Sequence, residues 1–292
     1  MSIVMLCVLV MKLSVLLLVF ALGLQATVSQ ATYLFRQPAR LLRAFVAMAV
    51  VVPLVAAGTA LLLNLPRPIE LAMIAMSISP VPPILPRKQL QQGARADYVY
   101  GLLIAAALLS IVVVPFAVWM LGLVFHRETH FGPLEVAKIV GLTVVAPVAL
   151  GILVRRQLPA QAERAAPLLM RLGTVLLMAA LLPILVMVWP AIWSLLSRGT
   201  LLAVVAVLIL TAIATGHLLG GPNREDRVAL AIASAMRHPG VALAILKENA
   251  PNDKVLPAVL LYVLVATVLT GVYAAVRKRM AGEGPVASAG GT

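Results

Sequence analysis

Acidic residues and cysteine are both scarce in this 292-residue chain. A single cysteine, Cys7, can form neither an internal disulfide nor a cysteine-ligated metal centre. Asp and Glu together number ten, and none lies deep in an apolar run; Glu70, Asp97 and Glu135 all sit near run ends. That leaves no carboxylate pair for acid–base catalysis and no cluster of metal ligands. His-Glu-x-x-His, Gly-x-Ser-x-Gly and a phosphate-binding glycine loop are absent too. No enzymatic activity and no cofactor are expected. Charge of either sign is thin: 11% of residues are charged, against about 25% in ordinary soluble domains, while 62% are hydrophobic. No polar stretch is long enough for a separate soluble domain.

What is present is a series of long apolar runs. A membrane-spanning helix needs about 20 mostly apolar residues. Nine stretches qualify: 3–24, 41–63, 70–90, 97–125, 134–155, 166–190, 200–220, 227–247 and 255–278. The first reads as a retained helix rather than a signal peptide, because no basic region precedes it and Lys12 interrupts it. Residues 1–280 form one polytopic all-α membrane domain, and the Gly/Ala/Ser-rich tail 281–292 is expected to be disordered. Gln25–Pro38 is too polar to span and reads as an interfacial stretch. Leu158–Pro167 reads as a short polar link.

The loops alternate in charge. Fifteen of the 23 Lys and Arg residues fall on one side and six on the other, with Lys12 and Arg237 inside spans. The positive-inside rule then puts the amino terminus outside and the carboxyl terminus in the cytoplasm. The same distribution accounts for the net charge of +13 without nucleic acid. The Ala/Leu/Val/Arg bias fits the inner (cytoplasmic) membrane of a bacterial cell.

Two of the nine runs are interrupted. The third carries Ser77-Ile78-Ser79-Pro80-Val81-Pro82-Pro83-Ile84-Leu85-Pro86, four prolines in seven residues, which rules out a continuous helix. The eighth carries Arg237-His238-Pro239-Gly240 in its middle. Such breaks are tolerated in a bilayer only where they are buried in protein or line a cavity. The interrupted runs lie five apart, so they cross in opposite directions. That spacing predicts two inverted repeats, about 1–130 and 131–280, the first lacking its first helix, with two crossing discontinuous helices. Binding sites between such helices mark secondary transporters.

Arg237 lies ten residues beyond Arg227 at the start of its run, roughly 15 Å along a helix and so near the midplane. An arginine stays charged there, and no acidic side chain is at hand to pair with it. Its expected partners are carbonyls, half-helix ends, water or an anion. The negative ends of two half-helices would favour a cation at the crossing, and Arg237 can be that cation. His238 titrates near physiological pH and can equally carry a proton or serve as a structural hydrogen-bonding group.

These features resemble the bile acid:sodium symporter family. Phe20-Ala21-Leu22-Gly23-Leu24 with Phe35-Arg36-Gln37-Pro38 is similar to the family's first helix and basic loop. Ser79-Pro80-Val81-Pro82 sits where the family has a Cys-Pro-Gly-Gly-like break. Asn223-Arg224-Glu225-Asp226, Ala229-Leu230-Ala231, Met236 and Pro239-Gly240 resemble the approach to its second crossing helix. The resemblance implies a core that moves against a panel, and sodium-coupled uptake of organic anions such as bile acids or small carboxylates. The sodium ligands are where this chain departs. A family Glu-x-Gly-Met-Gln-Asn-x-Gly becomes Ala233-Ser234-Ala235-Met236-Arg237-His238-Pro239-Gly240, a Ser-Asn pair becomes Leu85-Pro86, and Leu108–Pro115 keeps only Ser110. Sodium as a hard cation wants several oxygen ligands, and most are gone.

The expected function is therefore alternating-access transport of a small organic anion with sodium coupling lost. Proton-coupled or uncoupled movement, or a non-transporting membrane sensor or assembly protein that kept the fold, are the alternatives. Ser79, Pro80, Pro82, Pro83, Ser234, Arg237, His238, Pro239 and Gly240 are the candidate substrate-binding residues, with Arg237 and His238 the candidates for coupling. The partners expected are that anion and the lipid bilayer, with no nucleic acid.

Overall fold

The computed structural model describes residues 3–126 and 128–280, and among them there is helix but no strand. In chain order the helices are α1 (Ile3–Gly23), α2 (Pro38–Leu62), α3 (Arg67–Ile78), α4 (Leu85–Gln91), α5 (Ala96–Val124) and α6 (Pro133–Gln157). There follow α7 (Pro159–Leu196), α8 (Gly199–Leu219), α9 (Arg224–Ala235), α10 (Pro239–Asn249) and α11 (Leu256–Met280). Among the described residues, eight segments are long and apolar enough to cross a membrane, with α9 and α10 taken together. The short helices α3 and α4 occupy the place of the expected third run. Many of these helices begin with proline at the first or second position, where the missing N–H costs nothing.

Two expectations change. Leu158–Pro167 is not a link: it opens α7, a helix of 38 residues. Pro159 starts the helix and four alanines extend it, all compatible with helix. At about 57 Å, α7 outruns a hydrocarbon layer about 30 Å thick, so its polar first turns need not be loop. Gln25–Pro38, in turn, holds two single helical turns, Val28–Ala31 and Leu34–Arg36, the first closed by a Thr27/Gln30 capping box. The tail 281–292 lies outside the described residues.

The packing centres on α9. In the most apolar stretch of Arg224–Asn249, 67% of residues are buried, against 17% in α7, so α9 is core and α7 is periphery. One apolar cluster joins Leu230, Ile232 and Ala233 of α9 to α2, α5 and α6; a second joins Ala231 and Ala235 to α3, α8, α10 and α11. Helix α1 packs on α6 and α7. A methyl group on Gly23 would come within 2.5 Å of the Val148 carbonyl oxygen, and one on Gly151 within 2.5 Å of the Phe20 carbonyl oxygen. Small residues thus let α1 and α6 touch backbone to backbone.

The two sets of loops are the two ends of the molecule. At the basic end, Arg40 pairs with Asp226 at 3.1 Å, Arg155 donates to the Gln25 carbonyl, and Arg95 lies over the Tyr33 ring. At the far end, Arg67 pairs with Asp253 at 2.9 Å, and the His130 amide donates to Asn249 Oδ1 at 2.8 Å.

Candidate functional site

Two interruptions meet in the interior. Helix α3 ends at Ser79, whose backbone is extended, and helix resumes at Leu85. Helix α9 ends at Ala235, Met236 and His238 are extended, and α10 starts at Pro239. The His238 amide donates to the Pro80 carbonyl at 2.8 Å, which ties one interruption to the other.

Arg237 is the centre of the site and is 4% exposed. Its Nε donates to the Ser234 carbonyl at 3.0 Å, Nη1 to the Ser79 carbonyl at 3.0 Å, and Nη2 to the Met48 carbonyl at 2.6 Å. Ser234 and Ser79 are carbonyls at the carboxyl ends of α9 and α3. Each such end carries about half a negative charge, so two of them offset about one cation. A guanidinium has five N–H donors, and three distinct carbonyls leave two.

Met48 belongs to a different helix. Residues Val46–Val51 of α2 form a π turn, in which a carbonyl looks to the N–H five residues on. For Met48 that residue is Pro53, which has no N–H. The carbonyl is left free in the interior, and Arg237 takes it. Met48 carries no signal of its own in the sequence; Pro53, inside the apolar run 41–63, is the signal that points to it.

The remaining candidates divide. The Ser79 hydroxyl donates back to the Ala75 carbonyl at 2.7 Å, so its carbonyl and not its side chain faces Arg237. Ser234 likewise offers its carbonyl; its hydroxyl is buried without a partner against Gly216 of α8. Pro80 lines the cavity described below, while Pro82 and Pro83 are buried, with the Pro82 carbonyl accepting from the Leu85 amide at 3.0 Å. His238 Nδ1 accepts from the amides of Gly240 at 3.1 Å and Val241 at 3.4 Å, which caps α10, and its Nε2 is buried without a partner. Pro239 opens α10, and Gly240 is exposed.

A cavity of about 50 Å³ lies beside Arg237, walled by Met48, Ser79, Pro80, Ser110 and aliphatic side chains of α2 and α5. It has room for a water or two and not for an organic anion. A second cavity, of about 100 Å³, opens towards the far end among Glu70, Glu128, Thr129 and Asn249. Ile78 lines both. At the positions where the resemblance implies sodium ligands, Ala233, Leu85 and Pro86 are buried and carry no side-chain oxygen. Among the described residues there is no group of three His, Cys, Asp or Glu placed to hold a metal ion.

No curated protein matches the chain. The model of the Sodium Bile acid symporter family matches residues 12–196, which runs from α1 to the end of α7 and leaves Arg237 beyond the match. That is well over half of the 292 residues, so the chain, an all-helical multi-pass membrane protein, belongs to the sodium bile acid symporter family, a family of transporters.

Proposed function

We propose that this protein is a secondary transporter of small organic anions that works by alternating access without sodium, Arg237 being a built-in cation at the crossing. The observation that carries this reading is the trio of backbone carbonyls around the guanidinium. Two half-helix ends and a π-turn carbonyl are the oxygen-rich surroundings a sodium ion would seek. Here a guanidinium already occupies them. The side chains at the family's ligand positions, Ala233, Leu85 and Pro86, do not fit sodium, and no step is assigned to that ion.

In this reading α3/α4 and α9/α10 are two discontinuous crossing helices related by inverted repeats, and the former pair makes the ninth span. Helices α1, α6 and α7 form a panel, and α2–α5 with α8–α11 a core. The anion binds at the crossing, against Pro80, Pro82, Pro83, Pro239 and Gly240, drawn by the two N–H donors that Arg237 retains. The present cavity is too small for it, so the panel must rock away from the core to admit it. The path from the far end passes Ile78, the wall between the two cavities. The basic end faces the cytoplasm of the cell, with the amino terminus outside, in the inner membrane.

Of the two coupling candidates, Arg237 fits its role better than His238 fits proton carriage. A proton on His238 Nδ1 would break both cap bonds to α10. The test is uptake of a panel of carboxylates, from acetate to cholate, into liposomes holding the purified protein. Saturable uptake of at least one anion that collapses in Arg237→Gln supports the reading. No uptake of any member, with the protein folded, or uptake that survives in the variant, overturns it.

A further inference from the structure

At the basic end, cations gather around the turn between α8 and α9 without acids to match them. Gly221 closes this turn at φ +86°, a left-handed conformation that glycine adopts freely. Arg227 Nε donates to the Gly221 carbonyl at 2.6 Å. The Arg43 Nη1 approaches so closely that a methyl group on Gly221 would lie 3.1 Å from it. One turn back on α8, His217 Nδ1 meets the Tyr273 hydroxyl of α11 at 2.6 Å. Arg277 follows Tyr273 by one helical turn on α11. Arg277 Nε is buried and has no partner.

Two acids stand near this turn. Asp226 meets Arg40 and Asn223 through Oδ2 alone, its Oδ1 being buried without a partner, and Glu225 is exposed and lies within 4 Å of no cation among the described residues. The three ion pairs among the described residues use Arg40, Arg67 and Arg95, never Arg43, Arg227 or Arg277. Helix α9 starts at the same turn with no side-chain cap, which leaves amide donors free at its positive end. Like charges held together around free donors are a site awaiting an anion.

We infer that this turn binds the phosphate of an anionic phospholipid. The surroundings favour a lipid over a free ion. Val268, Val272 and Val276 make an exposed stripe along α11 that ends beside Arg277, and exposed Leu218 adjoins His217 on α8. Acyl chains can lie along those stripes while the headgroup meets the arginines where the helices leave the bilayer. Guanidinium forks suit a phosphate's paired oxygens better than ammonium groups do.

The test titrates dioctanoyl phosphatidylglycerol, dioctanoyl phosphatidylcholine and inorganic phosphate onto the full chain in a neutral detergent, read by native mass spectrometry. Phosphatidylglycerol should bind at least about tenfold tighter than phosphatidylcholine, and the double variant Arg227→Gln, Arg277→Gln should lose at least about tenfold. Arg36→Gln, an exposed cation at the same end, should leave the affinity unchanged. If the double variant does not fold, Arg277→Lys serves, with a smaller loss expected. Equal binding of the two lipids, or unchanged affinity in the variants, overturns the site. Displacement of the lipid by inorganic phosphate alone overturns its assignment to a lipid.

Discussion

The two interruptions are built on opposite chemistry. The one between α3 and α4 holds Pro80, Pro82, Pro83 and Pro86, so it is rich in carbonyls and poor in N–H groups. The one between α9 and α10 brings a guanidinium and the His238 amide. Each would be costly alone in an apolar interior: the first has more acceptors than donors, the second a charge with no counter-charge. Together they close the account, through Arg237 to Ser79 and His238 to Pro80, and α2 adds the Met48 carbonyl. A break can be stable in an apolar interior when a second break supplies what it lacks.

If that division holds, side chains matter on the donor side and hardly at all on the acceptor side. The largest effect is expected for Arg237→Gln, which strips a buried donor from three carbonyls. It should lower stability in detergent by at least about 3 kcal/mol, read by denaturant unfolding. Next is Gly216→Ala, which forces a methyl group to within 2.6 Å of the Ala231 Cα and wedges α8 from α9. A loss of about 1–3 kcal/mol is expected by the same measurement. His238→Ala removes the α10 cap and should cost about 1 kcal/mol, whereas His238→Asn, itself a capping residue, should restore most of it. An equal loss in both would show that the imidazole does something other than cap. Smallest is Ser79→Ala, expected at about 0.5 kcal/mol or less, because only the carbonyl of Ser79 serves Arg237. A large effect there would erase the contrast between the two breaks.

The two interruptions could be read from the chain because they violate local rules. Proline, glycine and arginine in the middle of apolar runs have no cheap local explanation, so they stood out, and Arg237 does sit deep in the interior. Which atoms would satisfy it could not be read, since carbonyls are common to every residue. Met48 looks like ordinary packing until Pro53 is seen to free its carbonyl. Ser234 shows the converse: as a serine beside a break it reads as a site lining, yet the side chain turns to Gly216 and only the backbone takes part. Eight of the nine runs read from hydropathy are long apolar helical segments among the described residues, while the third is two short helices. The start of α7 was misread because polar turns at a helix end look like loop by composition. The family match ends at residue 196, so the part of the chain that holds the second break lies beyond it.

The most direct measurement is uptake of a transported carboxylate into liposomes under an inward sodium gradient, under no gradient and in sodium-free buffer. Equal initial rates in all three are expected if Arg237 has taken the place of the ion. Rates that rise with the inward gradient and vanish without sodium would contradict the built-in cation and return the protein to ordinary sodium symport.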